Sequence, residues 1–153
     1  MNWKVALLVA GVVVLVPAAG LALLSAFSRR PSNLGVVDGR LAPCPNSPNC
    51  VSTQADDAAH RMEPISYSGP AGEALTKIKA IVASRPRTKV ITENGNYLHV
   101  EFKSALFRFV DDVEFLVDEP NRRIHFRSAS RVGYGDLGAN RRRMKEIVAE
   151  FGK

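Results

Sequence analysis

The strongest constraint on the fold is a pair of short alternating runs folded back on one another. Lys89–Thr92 and Tyr97–Lys103 are separated by Glu93-Asn94-Gly95-Asn96, and an Asn-Gly pair supplies the positive φ angles of a tight hairpin. A second pair follows. Val113, Phe115 and Val117 alternate with polar neighbours over Asp112–Val117, and Arg123–Ser128 returns after Asp118-Glu119-Pro120-Asn121. Two successive hairpins favour an antiparallel sheet over a parallel, doubly wound one.

Helices flank this block. Over Ala71–Ser84, Leu75, Ile78, Ile81 and Val82 fall at helical spacing, and Arg85-Pro86-Arg87 ends the run. After Gly133-Tyr134-Gly135, residues Leu137, Arg141, Met144, Ile147, Val148 and Phe151 fit a closing helix with an apolar stripe for the sheet. The expected class is therefore α+β, with a four-stranded, mainly antiparallel sheet and two packed helices over residues 58–153.

Val5 to Phe27 is 23 residues without a charge, a transmembrane length at ~1.5 Å rise per residue. Leu21, Leu23 and Leu24 extend it past Pro17-Ala18-Ala19, which favours an uncleaved signal-anchor over a cleavable signal peptide. Trp3 and Arg29-Arg30 stand at its ends. The expectation is an N-terminal transmembrane helix (residues 1–30) and a single-pass protein of the cell envelope. The flanking charges leave its orientation nearly even. The chain's net charge is +6, half of it in Lys4, Arg29 and Arg30, so residues 31–153 carry only +3. That is weak support for a nucleic-acid partner, and none is expected.

Residues 31–57 are rich in Pro, Asn and Ser and read as a tether. Cys44 and Cys50 enclose five residues, which suits a short-loop disulfide in an oxidising compartment and places the domain on the periplasmic side. Free thiols and half a metal site are the other readings. Structural zinc needs two further ligands, and His60, His99 and His125 are isolated from one another. No metal and no cofactor are expected.

Gly133-Tyr134-Gly135-Asp136-Leu137-Gly138 matches G-x-G-x-x-G, but the dinucleotide fingerprint needs a second parallel strand and an acidic residue about twenty positions on. The chain ends 15 residues after Gly138. The glycines read better as a sharp turn, with Asp136 as a helix cap.

Charge is more informative. Asp111, Asp112, Glu114, Asp118 and Glu119 gather around the third strand, and Arg122, Arg123, Arg127, Arg131 and Arg141–Arg143 follow. Cross-strand pairing is the ordinary structural reading. The functional reading is an anion site drawing on Arg127, Ser128, Ser130, Arg131, Tyr134, Asp136, Asn140 and Arg141, for a small anion, a lipid head group or a protein partner. Three consecutive arginines on a helix point in different directions, so at most two join one site. The enzymatic alternative is a hydrolase or transferase using Asp111, Asp112 or Glu114 as acid, base or ligand, with Ser128, Ser130 or Tyr134 nearby. His99 and His125 read as ordinary strand residues.

Three motifs carry a resemblance: Cys44-Pro-Asn-Ser-Pro-Asn-Cys50-Val51-Ser52, Phe109-Val110-Asp111-Asp112-Val113-Glu114-Phe115, and the run from Arg127-Ser128-Ala129-Ser130-Arg131 through Gly138-Ala139-Asn140-Arg141. Over about residues 41–151 the chain resembles the domain of unknown function 1499 (DUF1499) family. The resemblance implies an uncharacterised domain of bacteria and plastid-bearing organisms, often behind export or membrane segments. It implies no established activity and no catalytic residues.

Overall fold

A computed structural model describes residues 2–153; within the first helix the side chains of Val5, Ala6, Leu8, Val14, Pro17, Ala18, Ala22 and Ala26 lie outside the description. The elements in chain order are α1 (Trp3–Ala26), β1 (Val36–Val37), β2 (Arg40–Leu41), β3 (Cys50–Ser52), β4 (Ile65–Ser66), α2 (Ala71–Ala83), β5 (Thr88–Asn94), β6 (Tyr97–Lys103), β7 (Val110–Asp118), β8 (Arg123–Ser130) and α3 (Ala139–Phe151).

The expected transmembrane anchor is corrected. Crossing a bilayer takes about 20 consecutive apolar residues. Among the described residues no helix is long and apolar enough to cross a membrane. The single-pass localisation, which rested on that segment, is corrected with it.

The remainder is a small α+β domain. Its sheet has six strands rather than the expected four, in the order β3-β8-β7-β6-β5, with β4 pairing β8 beyond the end of β3. Every pairing is antiparallel. The added strands are two and three residues long, too short to show alternation. Gly95 supplies the positive φ (58°) of the β5–β6 turn, where Asn94 pairs with Tyr97. A register irregularity interrupts β5 between Val90 and Thr92.

Both α2 and α3 pack on one face of the sheet. Leu98, Val100, Val113, Phe115, Val117, Ile124 and Phe126 point into that layer and meet Leu75, Ile78 and Val82 of α2 and Met144 and Ile147 of α3. Phe115 and Phe126 are cross-strand partners and both wholly buried, each contributing about 1.5–3 kcal/mol on burial. Glu73 lies in the first turn of α2, where a carboxylate complements the helix dipole. Arg85, just beyond α2, bridges to Glu146 and Glu150 of α3 at 3.0 and 2.9 Å.

Neither α2 nor α3 lies on the opposite face. Residues 28–45 cross it as an irregular strap containing only the β1–β2 hairpin, in which Asp38 and Gly39 have positive φ. Leu41 seats against Tyr97 and Leu116 in a small second core.

Candidate functional site

Strand alternation decides what each face presents. On β6, Leu98, Val100 and Phe102 face the helices, so Tyr97, His99 and Glu101 face the strap. On β7, Val113 and Phe115 face the helices, so Asp112 and Glu114 face the strap and Asp111 does not. On β8, Phe126 and Ser128 lie on the helix side and Arg127, Ala129 and Arg131 on the strap side. His99, Glu101, Asp112, Glu114 and Arg127 are all buried there, none more than 7% exposed.

Their hydrogen bonds form two linked sets. Asp112 accepts from Arg131 Nε at 2.8 Å and Nη2 at 2.7 Å, and its Oδ1 lies 2.8 Å from His99 Nε2. Arg131 also donates to Glu101, which accepts from Arg30 of the strap at 2.8 Å. Glu114 accepts from the Tyr97 hydroxyl and the Gly35 backbone N–H, both at 2.8 Å, and from Arg127 Nη1 at 3.3 Å.

The electrostatics follow from this geometry. Burial pushes the carboxyls of Asp112 and Glu101 upward, but guanidinium hydrogen bonds outweigh it and both are held below the usual range. Burial, together with the Glu114 carboxylate, pushes the Tyr97 phenol well above its ordinary value. Hydrogen bonds donated to Asp112 and Glu101 raise Arg131 further. Asp112, Glu101 and Arg131 are accordingly all charged at neutral pH.

Arg127 is different. It is 5% exposed, its Nε is buried without a partner, and its single carboxylate bond is long. A buried guanidinium normally fills its donor fork. Arg127 lines a cavity of about 360 Å³ whose other walls include Asp112, Arg131, Asn33 and Cys44. Across the strap, a second cavity of about 490 Å³ is lined by Arg30, Gly35, Tyr97 and His99.

The remaining predicted site residues lie elsewhere. Ser128, Ser130, Asn140 and Asp111 form a network on the helix side. The Ser128 hydroxyl donates to Asn140 Oδ1, and Asn140 Nδ2 donates to Ser130 Oγ and to the Asn49 carbonyl. Arg143 donates to Asp111 and Asn140, with its guanidinium 4.7 Å from the Phe102 ring centroid. This pins the first turn of α3 to the sheet. Asp136 accepts from Gly138 N and Asn140 N at 2.9 and 2.7 Å and so caps the helix entry. Arg141 reaches the carbonyls of Ala59 and Arg61, while Arg142 reaches that of Leu137. Tyr134 is 76% exposed.

Of the predicted residues, Arg127, Arg131, Asp112 and Glu114 are thus brought together. His99, Glu101, Tyr97 and Arg30 join them, and sequence reasoning did not single these out. A signal existed: Tyr97, His99 and Glu101 share one side of a strand whose other side is wholly apolar. Among the described residues no group of three His, Cys, Asp or Glu is placed to hold a metal ion.

Cys44 and Cys50 are joined in a disulfide, with Cα atoms 5.7 Å apart. It fastens the end of the strap to β3 at the edge of the polar face. No curated protein matches the chain. The family model described as a protein of unknown function (DUF1499) matches residues 40–151, which takes in every strand of the six-stranded sheet, both packed helices and the disulfide, and the chain belongs to that family.

Proposed function

We propose that the strap-covered sheet face is a non-catalytic binding site for a small oxyanion, a carboxylate or phosphate group, held by Arg127. The observation that carries this reading is the unmet donor capacity of a buried guanidinium in a cavity wall. Planar forked recognition of an oxyanion would satisfy it. Glu101 and Asp112 are balanced by Arg30 and Arg131 together, and of these four Asp112 and Arg131 line the cavity beside Arg127. The Cys44–Cys50 bond suits an oxidising compartment.

The hydrolase or transferase reading is less well supported. Asp112 accepts from Arg131 at both oxygens, Glu114 accepts from Tyr97 and Gly35 at one oxygen, and Asp111 lies on the other face, held by Arg143. With its carboxyl held below the usual range, Asp112 is a poor proton acceptor.

Thermal unfolding of the full chain with inorganic phosphate or succinate, at constant ionic strength, tests the binding reading. Saturable stabilisation that disappears in Arg127→Met is expected. A melting temperature indifferent to both anions, or equal stabilisation of the variant, would overturn it.

A further inference from the structure

We propose that residues 31–45 form a lid over the polar sheet face, and that the Cys44–Cys50 disulfide is the latch that keeps it shut. This rests on the oxyanion reading only for what enters once the lid lifts; the lid itself rests on separate observations.

The first is the contrast between what is covered and what covers it. His99, Asp112 and Glu114 are at most 2% exposed although neither α2 nor α3 lies over them. The strap above has little structure of its own, and most of its residues, from Val36 to Arg40 in particular, are exposed. Segments with few buried contacts sit at the low-stability end of a fold and open locally.

The second is how few ties hold it. Arg30, just before it, donates to Glu101, the Gly35 N–H donates to Glu114, Arg40 Nη2 and the Leu41 N–H donate to the carbonyl and Oε1 of Gln54, and Leu41 packs against Tyr97 and Leu116. Glu101 keeps Arg131 and Glu114 keeps Tyr97 and Arg127 when the strap lifts. The buried charges therefore remain paired in an open state, and the core on the other face is untouched.

The third is the position of the covalent tie. Cys50 is 1% exposed within β3, whereas Cys44 is partly exposed and lines the Arg127 cavity. A dithiol reductant therefore reaches Cys44 first. Its thiolate attacks Cys44 Sγ, the S–S bond breaks, and Cys50 leaves as a thiolate that takes up a proton. The second thiol of the reductant then displaces Cys44, leaving the reductant as a disulfide and two electrons in the protein. The strap keeps only its noncovalent ties.

Hydrogen exchange of the full chain, oxidised and after dithiothreitol, tests the proposal, with Cys44→Ser/Cys50→Ser as a reduced-state mimic. The Gly35 amide is expected to exchange at least tenfold faster in both reduced forms, while the amides of β6 and β7 keep their protection. Arg30→Gln, with the cysteines intact, should accelerate Gly35 by a smaller factor. Unchanged Gly35 exchange on reduction would overturn the latch. Equal acceleration across β6 and β7 would also overturn it, by making the disulfide a support of the whole fold. Association of inorganic phosphate, followed in parallel, should be faster in the reduced protein. If Gly35 is released but phosphate binds neither form, the lid stands and the oxyanion reading falls.

Discussion

The two faces of one sheet are buried to a similar degree by opposite means. Under α2 and α3 the sheet buries Phe115, Phe126, Leu98 and Ile124 against apolar helix stripes. Under the strap it buries His99, Glu101, Asp112, Glu114 and Arg127. The first face is stabilised by area removed from water, which needs no specific partner. The second avoids a desolvation penalty only while every charge keeps its partner. Folding is therefore assigned to the helix side, and the strap side is left as the chemically differentiated surface.

That contrast can be broken most forcefully on the apolar face. Phe115→Ala should cost about 3–5 kcal/mol in urea unfolding through the cavity it leaves, without changing Arg127-dependent anion stabilisation. On the polar face, Arg131→Ala should cost about the same, roughly 3–5 kcal/mol, because Asp112 and Glu101 lose their shared guanidinium. The two faces then separate by rescue: adding Asp112→Leu to Arg131→Leu should recover part of the loss, since paired removal of buried charge is often close to neutral. No second substitution of that kind restores Phe115→Ala. A double variant less stable than the sum of its parts would mean that the polar face is not governed by pairing.

Acid sharpens the comparison. Asp112 and Glu101 have depressed carboxyl values in the fold, so their contribution is fully present above the unfolded-state range of about 4. It is lost as pH falls through the depressed folded values. Their charged or titratable neighbours are Arg30, Arg131, His99, Arg127, Glu114 and Tyr97. Exchange monitored from pH 7 downward should show the Gly35 amide losing its relative protection before those of β7. Simultaneous loss would mean that the faces are not separable. The network pinning α3 should be intermediate: Asn140→Ala is expected to cost about 1–3 kcal/mol, read by thermal unfolding, because the Ser128 hydroxyl loses its acceptor and the bonds from Asn140 to Ser130 and the Asn49 carbonyl are lost. The smallest effect should be Gly95→Ala, about 1 kcal/mol, since its positive φ suits glycine and no crowding adds to the cost.

What was legible in the sequence follows the same division. Asn94-Gly95 marked the first hairpin, and Leu75, Ile78, Met144 and Ile147 marked the helix stripes, because apolar periodicity reports burial by area. The strap was legible only as a Pro- and Asn-rich stretch. Its packing depends on single contacts such as Gly35 N–H to Glu114, which leave no periodic trace. The charges around Asp111–Glu114 were visible as a cluster, yet Asp111 and Asp112 belong to opposite faces. Arg127 and Ser128, also adjacent, divide in the same way. The orphan Nε of Arg127 is invisible from sequence, because it depends on which donors the fold leaves without acceptors.

The irregularity in β5 bears on how these molecules meet one another. β5 is one outer strand of the sheet, and a straight outer strand offers a row of free N–H and C=O groups to any neighbouring copy. The displaced register between Val90 and Thr92 twists that row locally, and the flanking Lys89 and Glu93 add charge along it. A strand so interrupted is a poor template for strand addition, so at high concentration this edge should resist the sheet-to-sheet growth that seeds fibrils.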